Sequence, residues 1–128
     1  MQTLSLKQKP GVQALYTTLH RLLLVSKLAH YKTKNFAGHE ALGKTYDSLN
    51  DLLDEITEQL VGYSGQDPDT LDIGRVETST TENVASMIIL AGTQVIEFAK
   101  ANNYANIENL GQELSGIGAK LKYLSRFP

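Results

Sequence analysis

The side chains able to do chemistry in this chain gather on one stretch, His39 to Glu58. His39, Gly43, Asp47, Asn50, Asp54 and Glu58 recur at helical spacing and form a polar stripe beside an apolar one made by Leu42, Leu49, Leu53, Ile56 and Leu60. Asp54 and Glu58 stand one turn apart, so their carboxylates can converge on one cation. His39 lies fifteen residues before Asp54, which at helical rise is a separation of roughly 22 Å. One ion cannot touch both within a single chain. Either the stripe is a solvated face, or another molecule completes it.

A second histidine sharpens the choice. His30 closes the helical pattern that precedes His39, and the polar turn Tyr31–Asn35 folds the two histidines toward each other. Two such helices paired antiparallel about a two-fold axis near Tyr46–Asp47 would set His30 and His39 of one chain beside Asp54 and Glu58 of the other. Two imidazoles and two carboxylates suit Fe(II) or Zn, and a two-fold makes two equivalent sites. The competing expectation is structural: His30 caps the end of its helix and the acids face water. Other chemistries are excluded or lack their motifs. There is no Cys. No Gly-rich phosphate loop or nucleophile elbow is present. The residues three before His20, His30 and His39 are Thr17, Lys27 and Phe36, so the acid-to-histidine spacing of an intrasubunit di-iron bundle is missing.

The elements that must position these residues are all helical. Pro10-Gly11 punctuates a short arm over 1–10. Leu15, Leu19, Leu22, Val25 (or Ser26) and Leu28 predict a helix over 12–32, with Leu23 and Leu24 widening its buried face. Asn35 is placed to cap a second helix over 37–61 that stops at Gly62. Residues 62–78 hold Gly62, Gly65, Pro68 and Gly74 and predict a long connection, with room for a short helix near 68–73. Ser79-Thr80-Thr81-Glu82 fits a capping box ahead of Val84, Ile88, Ala91, Val95 and Phe98, a helix over 80–101. Ile107, Leu110, Leu114, Ile117, Leu121 and Leu124 mark the last helix, 105–126. Gly111, Gly116 and Gly118 inside it imply either the close approach of another backbone or a weak helix. Two tight hairpins joined by one long crossover make an all-α, ferritin-like four-helix bundle, a single domain over 1–128.

Composition narrows the partners. A net charge of −2 gives no bulk attraction to nucleic acid. No signal-peptide pattern is seen, and the apolar run Leu22–Val25 is far too short to span a bilayer. A soluble, cytoplasmic protein with no membrane partner is expected.

Ala29-His30-Tyr31, Asn35-Phe36, His39-Glu40, Tyr46-Asp47, Asp54-Glu55 and Glu58 resemble the signature of the Dps-type mini-ferritins. The detailed likeness covers about residues 20–62, and beyond it only the order and length of the helices agree. The family's pattern is a His-Trp pair, an Asn-Phe pair, a His-Glu pair, a Tyr, then an Asp and a Glu four apart. The resemblance implies a homo-oligomer built from two-fold dimers into a twelve-subunit shell. It implies iron as cargo, with Fe(II) oxidised by peroxide or oxygen at sites shared between subunits and the ferric product stored inside. By the same resemblance His30 and His39 are ligands from one subunit, and Asp54 and Glu58 from its partner. This chain departs from the pattern at Tyr31 in place of Trp, in a shorter turn between the histidines, and at Gly43, which stands where the family has an acid. Asp47, one turn further on, is the substitute ligand if the geometry shifts. The departures suggest a compact branch of the kind some bacteriophages encode. Two alternatives stand beside iron storage. One is an oligomeric structural bundle that has lost ferroxidase chemistry. The other is a DNA-protecting shell, for which Lys7, Lys9, Lys120, Lys122 and Arg126 are too few to predict DNA binding.

Overall fold

The computed structural model describes residues 11–128. The arm over 1–10, with Lys7 and Lys9, lies outside the described residues. Four helices follow in order: α1 Val12–Lys32, α2 Phe36–Ser64, α3 Thr81–Asn102 and α4 Ala105–Leu124. They pack as a bundle in which α1 neighbours α2 and α3, and α4 neighbours α2 and α3. The all-α class and the long connection between the second and third helices are as expected.

The core is built by the predicted apolar stripes. Leu15, Leu19 and Leu22 of α1 and all five predicted apolar positions of α2 are buried against Val84, Ile88, Val95, Ile107, Leu114 and Leu121. The first helix differs from expectation. Its buried face turns toward Ser26 and Ala29, leaving Leu24 42% and Leu28 36% exposed. Ser26 is tolerated in the core because its hydroxyl donates to the Leu22 carbonyl at 2.9 Å.

Helix ends follow local chemistry. Asn35 caps α2, its side-chain oxygen accepting from Gly38 N at 2.8 Å. Gly62 does not stop this helix. The helix runs on to Gly65, whose left-handed φ of 72° ends it, and the Gly65 N–H bonds the Val61 carbonyl. The capping box is also displaced by one residue. Thr80 is the cap and its hydroxyl accepts from Asn83 N at 3.1 Å, so Glu82 falls short of the third helical position that a box requires.

The crossover contains no helix near 68–73. Hydrogen bonds to α1 replace local helical ones: Tyr16 Oη donates to the Gln66 carbonyl, Gln13 Nε2 to the Asp67 carbonyl, and Arg21 Nη1 to the Arg75 carbonyl. The segment therefore lies along α1 from its first turn upward, and α3 starts at the end of the bundle where α1 finishes. All neighbouring helices run antiparallel as a result.

Helices α3 and α4 approach closely. A Cβ added at Gly118 would meet the Ala85 carbonyl oxygen and the Ile89 nitrogen at 2.8 Å, and one at Gly111 would meet the Gly92 oxygen and Ile96 nitrogen at 3.0 Å. Backbone approach is thus the reason for two of the three glycines. Gly116 has open space around it. Helix α3 is also long and apolar enough to cross a membrane by length and composition, with a mean hydropathy of 1.4 over its best window. Its continuous apolar run, Met87–Ala91, is bounded by Ser86 and Gly92-Thr93 and is far shorter than a bilayer span. Here its apolar face forms core.

Candidate metal-binding histidine pair

His30 sits in the last turn of α1 and His39 in the first turns of α2, joined by three non-helical residues, Thr33–Asn35. The Asn35 cap fixes where α2 begins, and hence which way His39 points. The two rings stack, centroids 4.0 Å apart and planes inclined by 21°. Each ring then bonds the other residue's main chain. His30 Nδ1 lies 3.0 Å from the His39 carbonyl oxygen, and His39 Nδ1 lies 3.1 Å from the His30 carbonyl oxygen. A carbonyl only accepts, so both Nδ1 atoms carry the proton. In the neutral rings both Nε2 atoms are left with a free lone pair, the state a metal ligand needs.

The structural role expected of His30 is shared out differently. His39, not His30, satisfies the His30 carbonyl, one of the orphan acceptors at the end of α1. Clamping the hairpin thus uses one nitrogen of each ring and leaves the other.

The floor under His30 is Gly43. A Cβ there would stand 3.0 Å from His30 Cε1 and 3.4 Å from Nδ1. The missing side chain at Gly43 is what lets the imidazole lie against the α2 backbone. Asp47 borders the same cleft, of about 410 Å³, together with Lys27, Tyr31, His39, Lys44 and Tyr46. Lys27 Nζ stands 5.2 Å from the Tyr46 ring centroid. The phenols of Tyr31 and Tyr46 hold its pKa above the ordinary lysine value.

Asp54 and Glu58 are exposed, further along α2. Among the described residues no three His, Asp or Glu side chains come close enough together to hold a metal ion. The chain therefore keeps its histidine pair apart from Asp54 and Glu58. His20 is half-buried with Nδ1 donating to the Tyr16 carbonyl at 2.7 Å. Tyr104 is half-buried and stacks on Tyr63, centroids 4.4 Å apart, whereas Tyr123 is largely exposed.

Sequence reasoning missed Gln13, Tyr16 and Arg21 as the residues that bind the crossover. Polar side chains inside an apolar helical pattern were the available signal.

Comparison with known proteins finds a family of unknown function and a phage relative. A family described as "Family of unknown function (DUF5856)" matches residues 30–124. A protein of Enterobacteria phage T4, described as an uncharacterized 14.6 kDa protein in the mobD-ri intergenic region, is 29% identical over 98 residues, covering 75% of this chain and 73% of the relative. No solved structure matches the chain.

Proposed function

The chain belongs to the DUF5856 family, of unknown function, and from the geometry of its histidine pair we propose that it binds Fe(II), or Zn in its place, at centres shared between two antiparallel copies. One observation carries this. His30 and His39 are locked by their Nδ1 atoms in the tautomer that frees both Nε2 atoms, while among the described residues no third ligand is within reach in the same chain. Asp54 and Glu58, exposed on the same helix as His39, are the complementary half. A two-fold axis near Tyr46–Asp47 would bring one half-set of each copy to the other half-set of its partner. Neutral imidazole with carboxylate is a donor set suited to Fe(II) or Zn.

The resemblance to the Dps-type mini-ferritins supports taking iron as cargo, stored after oxidation within a shell of such dimers in the cytoplasm. The balanced step is two Fe(II) ions each giving one electron to a peroxide. The O–O bond breaks, two protons are taken up, and two waters and two Fe(III) result.

Gly43 favours a second function, metal binding in an oligomer without rapid oxidation. The His30 ring occupies the space that an acid at position 43 would need. Glu40 and Asp47, both bordering the same cleft, are then the acids on that side. Anaerobic Fe(II) titration followed by addition of peroxide tests both. Saturable binding with fast ferric absorbance supports storage by oxidation. Binding with no faster oxidation than free Fe(II) supports the second. Absence of Fe(II) and Zn binding at micromolar protein rejects the metal function.

A further inference from the structure

Three large apolar side chains lie exposed on one face of α1. Leu24 is 42% exposed, Leu28 36% and Tyr31 64%, at spacings of four and three that put them on a single stripe. Of the other exposed large apolar residues, Phe36 and Tyr63 lie at opposite ends of α2, Leu90 stands alone on α3, and Tyr123 packs edge-on against Phe127 at the end of the chain. Isolated ones need no explanation, but a continuous stripe does. Among the described residues nothing covers it. The crossover, bonded to Gln13, Tyr16 and Arg21, leaves these three side chains open.

We infer that the Leu24–Leu28–Tyr31 face of α1 is the apolar centre of a two-fold interface between copies of this chain, the interface that assembles the shared metal centre. The inference rests on the function proposed above. Its occupant follows from three observations. First, the stripe is continuous with the site: Tyr31 borders the cleft that holds His30 and His39. Second, the level is right. The antiparallel α1 and α2 are in register at His30–His39 and at Lys27–Tyr46. Leu24, one turn before Lys27, therefore stands close to the level of Tyr46–Asp47, where the axis must pass. Third, donor chemistry along α2 and its hairpin is split. The imidazoles lie at one end, and Asp54 and Glu58 are exposed toward the other. A two-fold places each end against its opposite, an arrangement that a second copy satisfies automatically.

The absence of native cysteine makes the test direct. Leu24→Cys chains treated with a short thiol-to-thiol crosslinker should give a covalent dimer in high yield, and Leu90→Cys chains on α3 should give at least tenfold less. In parallel, Leu24→Arg/Leu28→Arg chains, shown to be helical by circular dichroism, should sediment as monomers and bind Zn at least tenfold more weakly than wild type. Equal crosslinking of the Leu24→Cys and Leu90→Cys chains, or a dimer that survives the double arginine change, overturns the interface. A wild type that sediments as a monomer at micromolar concentration overturns it as well. A monomeric double variant that keeps wild-type Zn affinity leaves the interface standing and rejects the shared site.

Discussion

His30 and His39 hold each other through a reciprocal exchange: each ring donates its Nδ1 proton to the other's main-chain carbonyl, at 3.0 and 3.1 Å, with the rings stacked between. The pair clamps the α1–α2 hairpin. In the proposed metal centre, rings held this way would lose little side-chain freedom when a metal arrives, which is the benefit of preorganisation.

The carboxylate half of the proposed centre is separable from folding. Asp54→Ala or Glu58→Ala should lower Fe(II) or Zn affinity at least tenfold by calorimetry. Each should change thermal stability by under about 0.5 kcal/mol, because both side chains face water.

Mixing tests which chain supplies which ligand. His39→Ala and Glu58→Ala chains should each bind poorly. After subunit exchange a mixed pair has one doubly lesioned and one intact site, so binding should recover toward half of wild type. No recovery despite proven exchange, for example by mass spectrometry of labelled chains, rejects a shared site.

Neighbouring glycines of α4 should respond with opposite sign. Gly118→Ala forces a Cβ against the Ala85 oxygen and Ile89 nitrogen, backbone atoms that cannot turn aside, and should destabilise by about 1–3 kcal/mol. Gly116→Ala enters open space and should stabilise by about 1 kcal/mol through helix propensity. Denaturant unfolding of the two variants gives the comparison.

Tyr16 gives the fold an alkaline limit. The side chain is fully buried and donates to the Gln66 carbonyl at 2.8 Å. Burial, with a smaller contribution from the charge of Asp67, holds its pKa above the usual 10.0. The folded state therefore keeps the phenol proton longer than the unfolded chain does. The stability this represents is fully present below about pH 10 and is lost as pH rises through the folded value. Tyr16→Phe should cost about 1–2 kcal/mol at neutral pH through the orphaned carbonyl. It should also make the loss of stability above pH 10 shallower, as read from urea midpoints measured across that range.

Several features were settled by the sequence alone, because they depend on neighbours along the chain. The apolar period of Leu42, Leu49, Leu53, Ile56 and Leu60 sets one face of α2, and Asn35 sets its start. The short turn before Asn35 obliges His30 and His39 to meet. Other features depend on what packs across from a helix, which no local pattern contains. A broad apolar arc on α1 does not say which part its neighbours will cover. Only the placement of α2, α3 and the crossover turned Leu24 and Leu28 outward while Ser26 went in. Gly111, Gly116 and Gly118 are alike as letters, yet two touch the α3 backbone and one touches nothing, because close approach depends on the crossing of two helices. The same holds for Gly43. Its chemical meaning, a floor for the His30 ring, exists only once α1 lies against α2 at the separation their packed side chains allow.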